Sequence, residues 1–288
     1  MSTEIQRRGV GMHQEAWSGV AHLSHPDVVL AVHEAYIRAG AQVITTNTFA
    51  TARHVLDSVG LGQDVVAINR EAVEIAQRAR DNVADEQVWI AGSLSSMPPL
   101  SQTDYTPSGA DIERNYREQA EILAEAGVDV LLTEMMLDVE NATAAIRACS
   151  SVGLPVWVGF SASLSENDAT VMGYQEEGLF IGLESIAFGD LVERILAVGG
   201  DVAGVMHSQM DVMEPALRVL SEKWSGPKLA YAETGRFGGA DWIFEQIISP
   251  AAYANEALRW VNQLGVQIIG GCCGTGPEHI RVLKTLLP

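Results

Sequence analysis

The sequence predicts an α/β barrel of the (βα)8 type, filling one domain over residues 1–288. Short Val- and Ile-rich runs alternate with longer helical patterns along the whole chain, and this alternation implies a parallel sheet. Each run is nearly continuous in apolar residues, as strands covered on both faces should be. The longest irregular stretches, 93–108, 161–180 and 233–249, all follow a strand, which is where a barrel builds the mouth of its active site.

The elements follow in order. Residues 1–25 offer no convincing strand, and PDVVLAVHEAYIRAG (26–40) then reads as a helix. Strands are predicted at QVITT (42–46), QVWIAG (87–92), VDVLLT (128–133), PVWVGF (155–160), VAGVM (202–206), KLAYA (228–232) and VQIIGG (266–271). Between them, apolar residues at three- and four-residue spacing predict helices over 64–80, 110–126, 139–148, 189–198, 212–222 and 252–264. A last helix over 277–287 has Pro277 in its first turn, where proline is tolerated. Seven strands stand against eight helices. The first strand is therefore expected upstream of Met1, or the barrel is open at one seam, between 42–46 and 266–271, with residues 1–25 partly covering the gap. No G-x-G-x-x-G opens a helix after a strand, which disfavours a doubly wound dinucleotide fold.

Composition narrows the function. The chain is 47% hydrophobic and 19% charged, enough apolar material for a substantial core. Eighteen Lys+Arg against 37 Asp+Glu give a net charge of −19, a field that repels nucleic acid and anionic lipid. No apolar run approaches the ~20 residues of a membrane helix, and the N-terminus lacks the apolar segment of a signal peptide. Three cysteines, two of them adjacent, do not make a disulfide framework, so a reducing cytoplasm is expected.

The strongest local feature is GGCCGT, Gly270 to Thr275, at the end of the last strand. Adjacent cysteines are poorly placed to bridge each other. On a glycine-rich turn, however, both thiolates can face one metal ion. Catalytic zinc takes three protein ligands and keeps a fourth position open. Cys149, late in a helix, is expected in the core. His207 directly follows the strand 202–206 and shares the rim with Cys272 and Cys273. His13, His22, His25 and His54 fall in loops or early turns, and His33 and His279 within helices.

GGCCGTGPEHIRVL resembles the C-terminal zinc motif of the homocysteine S-methyltransferase family, which includes S-methylmethionine- and betaine-dependent enzymes. STEIQRRG, WSGVAHLSHPDVVLAVHEAYIRAGAQVITTNTF, AGS (91–93), AGVDVLLTEMMLDVENATAAI (126–146) and YAETG (231–235) are similar to that family's segments in the same order. The resemblance covers nearly the whole chain and implies the same barrel. It implies that zinc holds the thiol of homocysteine, which metal coordination deprotonates. The thiolate then takes a methyl group from a sulfonium or quaternary ammonium donor. It further implies substrate-binding roles for Glu134 and for Thr46, Asn47 and Thr48. On their own, these residues would read as a rim carboxylate near a helix start and as turn-formers.

The sequence departs from the family at four places. His207 stands where the first zinc cysteine belongs, and imidazole is an acceptable replacement ligand. Glu233 and Thr234 replace Asn and Ser in the turn after Tyr231, so Glu233 becomes a candidate support for His207, a fourth ligand or a substrate contact. The family's opening Asp-Gly-Gly would lie before Met1. The sequence thus predicts a cytoplasmic zinc-dependent S-methyltransferase with His207, Cys272 and Cys273 as ligands, acting on a small thiol and a methyl donor, with no nucleic-acid or membrane partner. A diverged enzyme acting on another thiol or methylated amine remains open, as does a non-catalytic binding protein that has lost zinc. A thiol-redox role is disfavoured, because vicinal cysteines lack C-x-x-C spacing.

Overall fold

A computed structural model describes residues 1–96, 103–165, 170–174, 185–237, 242–243 and 247–286. Parts of the three long loops and residue 287 of the expected last helix lie outside these residues. Seven strands form one parallel sheet: β1 (Val43–Thr45), β2 (Trp89–Ser95), β3 (Val130–Met136), β4 (Val156–Phe160), β7 (Val202–Gln209), β8 (Lys228–Glu233) and β11 (Ile268–Ile269), neighbours in that order. Two short antiparallel hairpins, β5/β6 (Ala162–Leu164 with Val171–Gly173) and β9/β10 (Arg236–Phe237 with Trp242–Ile243), occupy the loops after β4 and β8.

The helices are α1 (Ser2–Arg7), α2 (Ala21–Ser24), α3 (Pro26–Arg38), α4 (Arg53–Ser58), α5 (Val65–Val83), α6 (Ala110–Ala126), α7 (Val139–Ser150), α8 (Phe188–Leu196), α9 (Met210–Lys223), α10 (Pro250–Leu264) and α11 (Pro277–Leu286). Their ends are chemically marked. Asp138 accepts from the Asn141 N–H at 2.8 Å to start α7. Ser249 caps α10 at Ala252 N, Pro250 follows it, and Gly265 (φ +65°) ends the helix. At the opposite ends of the strands, Asp129 and Asp201 accept from the N–H groups of Ile90 and Val156, at 2.7 and 2.8 Å. Such bonds satisfy strand-end donors that the ladder does not reach.

The main core lies between the sheet and its helices, and includes Tyr116, Phe160, Phe188, Tyr253 and Trp260. A second cluster, with Ala91, Val130, Leu132, Val202 and Leu229, fills the concave side of the sheet. Among the described residues the sheet does not close, and β1 and β11 are its two edges. This is an incomplete TIM-type barrel, and the open seam falls where the strand count put it. Residues 1–25 are not strand but carry α1, whose Ile5 is fully buried against Val29, Val32 and Ile75. Met1, Ser2 and Thr3 line the cavity that runs between the edges.

Candidate metal and substrate site

The site lies at the C-terminal ends of the strands, above a cavity of about 300 Å³. Two strands deliver its central side chains through irregularities. In β3 the register to β4 passes from Thr133↔Val158 to Met136↔Phe160, so β3 contains one extra residue around Glu134 and Met135. In β7 the register to β8 passes from Met206↔Tyr231 to Gln209↔Glu233, placing one extra residue around His207 and Ser208. Such bulges re-aim side chains. Both include a residue at positive φ, Met135 at 52° and His207 at 41°, where side chains other than glycine are strained. The two bulges touch, since Met135 N–H donates to Met206 Sδ at 3.3 Å.

The cysteine turn is shaped by its glycines. Gly274 has φ +84°, and a Cβ there would lie 2.4 Å from Gly235 N. The close approach lets Cys273 O accept from both Thr234 N and Gly235 N, at 2.7 and 3.1 Å. The Arg7 guanidinium of α1 holds the turn from the other side, donating to Gly274 O at 2.8 Å.

This framework brings three sequence-predicted residues together. His207 Nδ1 lies 3.6 Å from Cys272 Sγ and 3.5 Å from Cys273 Sγ, and the two sulfurs are 3.6 Å apart. Ligands on tetrahedral zinc, with Zn–S ~2.3 Å and Zn–N ~2.0–2.1 Å, would stand ~3.8 Å apart from sulfur to sulfur and ~3.6 Å from sulfur to nitrogen. The triangle therefore has the size of one face of a zinc tetrahedron, and its donor set suits that ion. Glu233, almost fully buried, reaches the same nitrogen: its Oε2 is 2.9 Å from His207 Nδ1. Its Oε1 accepts from Gln209 Nε2 at 2.8 Å. Burial opposes charge on His207, but the carboxylate of Glu233 and the Cys272 sulfur outweigh it and raise the imidazole pKa well above its usual value. Cys272 is pulled down to about 5 by Cys273 and, against the effect of burial, by His207. Cys273 is pushed up by burial and by the Cys272 thiolate. One thiolate is thus favoured before any cation arrives, and the ring that supports it is held by Glu233.

Glu134 points into the cavity beside this cluster. Its Oε1 accepts from Ser93 Oγ at 2.5 Å and its Oε2 from Tyr231 O–H at 3.1 Å. Burial raises its pKa to about 7, against the opposing effect of those two bonds. Thr46 and Asn47 line the cavity, whereas Thr48 is not among its lining residues. Thr48 Oγ1 donates to Ser93 O, and Thr46 Oγ1 donates in turn to Thr48 while accepting from Ser93 N. The Asn47 amide is bonded to Ser18, both backbone and side chain. The TNT segment thus braces the strand that presents Ser93 to Glu134. Cys149 is buried in the main core, where burial pushes its thiol up to about 12.

Sequence reasoning left the roles of several site residues unassigned or undecided. Trp17, Phe49, Tyr174 and Tyr231 surround the cluster together with Met135 and Met206. The Tyr174 ring sits 5.4 Å from that of His207. Gln209, which orients Glu233, lies two residues beyond His207, and only the bulge in β7 turns it toward the site.

Comparison with known proteins places the chain among its relatives. The chain is 27% identical to mouse betaine–homocysteine S-methyltransferase 1, over 97% of this chain and 68% of that protein. It is 25% identical to homocysteine S-methyltransferase 1 of Brassica oleracea var. italica, over 98% and 90% of the two chains. The fold matches the crystal structure of the metallated form of the homocysteine methyltransferase MmuM from Escherichia coli with a TM-score of 0.76, covering 99% of this chain and 93% of that one at 23% identity. The sequence model of the family described as homocysteine S-methyltransferase matches residues 1–287, and the chain belongs to that methyltransferase family.

Proposed function

We propose that the whole chain acts as one zinc-dependent S-methyltransferase unit, moving a methyl group from a sulfonium or quaternary ammonium donor to the thiol of homocysteine. The observation that carries this reading is the convergence of His207 Nδ1 with the Cys272 and Cys273 sulfurs at tetrahedral spacing. Zinc held by these three residues supplies a Lewis acid that turns an acceptor thiol into a thiolate at neutral pH.

The remaining work falls to the chain. Glu134, in its ionised form, offers a carboxylate to the ammonium of an amino-acid acceptor, and Ser93 and Tyr231 fix its direction. The faces of Trp17, Phe49, Tyr174 and Tyr231 suit a cationic methyl donor, since aromatic faces attract onium groups. Enclosure by these rings and by Met135 and Met206 limits water around the reacting sulfur. The relatives named for betaine and for homocysteine make a betaine donor and a homocysteine acceptor the first pair to try.

A second reading is favoured by one contact. In the structure Glu233 already occupies His207 Nδ1, as it would in a binding protein that has given up the metal. The two readings separate in a methyl-transfer assay with homocysteine and betaine or S-methylmethionine, on protein supplied with zinc or treated with a chelator. Methionine formed only with zinc supports the enzyme. No methionine from any donor, with zinc bound, contradicts it.

A further inference from the structure

We propose that Tyr253 is a positioning residue for the metal site, its hydroxyl inserted between β8 and β11 so as to set where the cysteine turn stands against His207. The inference rests on the zinc-dependent reading above and adds a residue of α10 to it. Three observations carry it. First, the register of the two strands calls for a rung from Ala232 N to Gly270 O, and that rung is not made directly. Ala232 N donates instead to the Tyr253 hydroxyl oxygen at 3.0 Å, and the hydroxyl donates to Gly270 O at 2.7 Å. Second, the rungs on either side are direct, Gly270 N to Ala230 O and Cys272 N to Ala232 O, both at 3.0 Å. Third, Tyr253 is fully buried, and its ring stands edge-on to those of Trp260 and His279, with centroids 6.0 and 5.8 Å away.

A phenol can fill this place because it has one proton to give and lone pairs to accept. Two hydrogen bonds in series hold Ala232 N and Gly270 O farther apart than the ~2.9 Å of a direct amide–carbonyl bond. The intact rungs keep the strands paired, so the backbone between them takes up the inserted oxygen. On β11 that backbone is Gly270 and Gly271, which lead into Cys272; on β8 it is Tyr231 and Ala232, which lead into Glu233 and its contact with His207. A working site holds its side chains within about 0.5 Å of their places. The width of an inserted oxygen exceeds that tolerance, two residues before Cys272. His279 fixes the ring in turn: its Nδ1 accepts from Gly276 N at 3.1 Å and its Nε2 donates to Ile248 O at 3.0 Å, tying the end of the cysteine turn to the approach to α10. Without the hydroxyl, Ala232 N can bond Gly270 O directly, which draws Gly270 toward β8 and displaces Cys272 and Cys273 from His207.

The test compares the full wild-type chain with Tyr253→Phe, Tyr253→4-aminophenylalanine and Trp260→Phe, each loaded with Co2+, whose visible absorption reports ligand geometry. Tyr253→Phe removes only the inserted oxygen. The amine of Tyr253→4-aminophenylalanine again has a proton to give and a lone pair to accept. Trp260→Phe loosens the packing around the Tyr253 ring and leaves the hydroxyl in place. Zinc affinity, measured by chelator competition, should fall roughly tenfold in Tyr253→Phe, the lower end of the range for groups that support metal ligands, and its cobalt spectrum should shift. The amine variant should restore both. Trp260→Phe should lower the denaturation midpoint and leave affinity and spectrum unchanged. Wild-type affinity and spectrum in a folded Tyr253→Phe would overturn the inference. So would an equal loss of affinity in Trp260→Phe, which would make the effect one of packing. If circular dichroism shows Tyr253→Phe unfolded, the amine variant decides: wild-type affinity and spectrum support the inserted group, and altered ones overturn it. A wild type that takes up no metal removes the zinc-dependent reading and this inference with it. A metal-loaded wild type matched by Tyr253→Phe removes only the inference.

Discussion

At the scale of single residues, Glu134 couples binding to pH. Its carboxyl is pushed up from 4.5 to about 7 by burial, so it is largely protonated in mildly acidic solution. Only the ionised form attracts an ammonium. Acceptor affinity should therefore rise about tenfold per pH unit below 7 and level off above it, until the acceptor's own amine titrates. Isothermal titration across pH 5.5–8.5 checks this, and Glu134→Gln should flatten the profile and weaken binding by roughly 1.5–3 kcal/mol at pH 8. The sign for stability is opposite. A carboxyl whose pKa is raised on folding costs nothing below its unfolded value, and destabilises increasingly as pH climbs from 4.5 toward 7. Without acceptor, Glu134→Gln should thus unfold at higher denaturant concentration than wild type at pH 8, by roughly 1–3 kcal/mol, with the difference shrinking at pH 5. The sequence made the three metal-ligand candidates legible because each stands next to a strand end, where topology places rim residues. Glu134 and Glu233 were legible only through the family resemblance. Ser93 and Tyr231 as partners of Glu134, and Gln209 as partner of Glu233, were not, since those contacts join residues 41, 97 and 24 positions apart.

At the scale of elements, the strands and long helices followed from periodicity because each buries a continuous apolar face. The pieces that escaped were those whose conformation is imposed from outside. α1 and α4 are six residues each, too short to show a helical repeat, and α1 is anchored by Ile5 and Arg7. The β5/β6 hairpin is three residues a side and draws support from β7, through the bond of Ala162 N to Ser208 Oγ at 2.9 Å. The bulges in β3 and β7 leave no periodic signature, because an apolar run reads the same with or without an extra residue. Two variants test what these elements do. Gly274→Ala forces a side chain into a left-handed backbone and against Gly235 N, so it should destabilise the chain by more than about 1 kcal/mol and weaken metal binding. Arg7→Ala removes the bond to Gly274 O without touching a ligand atom. It should loosen the cysteine turn, seen as faster hydrogen exchange across residues 270–276 with the main core unaffected.

At the scale of the whole molecule, a parallel sheet that does not close among the described residues sets the site's surroundings. The cavity runs from the ligand cluster past Leu132, Trp157 and Leu229 to the seam between β1 and β11, where Met1, Ser2 and Thr3 line it. The seam was legible from the sequence as a mismatch between strands and helices; the helix that partly covers it was not. Net charge of −19 makes the surface unwelcoming to anions and compatible with cationic or zwitterionic substrates, as the proposed donor and acceptor are. No helix among the described residues is long and apolar enough to cross a membrane. The claim on which the account depends is that His207, Cys272 and Cys273 hold one metal ion. It is tested most directly by elemental analysis of protein purified without added zinc, for wild type, His207→Ala and His207→Cys side by side. The account predicts one zinc per chain in wild type and in His207→Cys, and a large loss in His207→Ala. A stable, folded wild type without zinc, beside a His207→Cys variant that binds it, would contradict the account and leave a binding protein in its place.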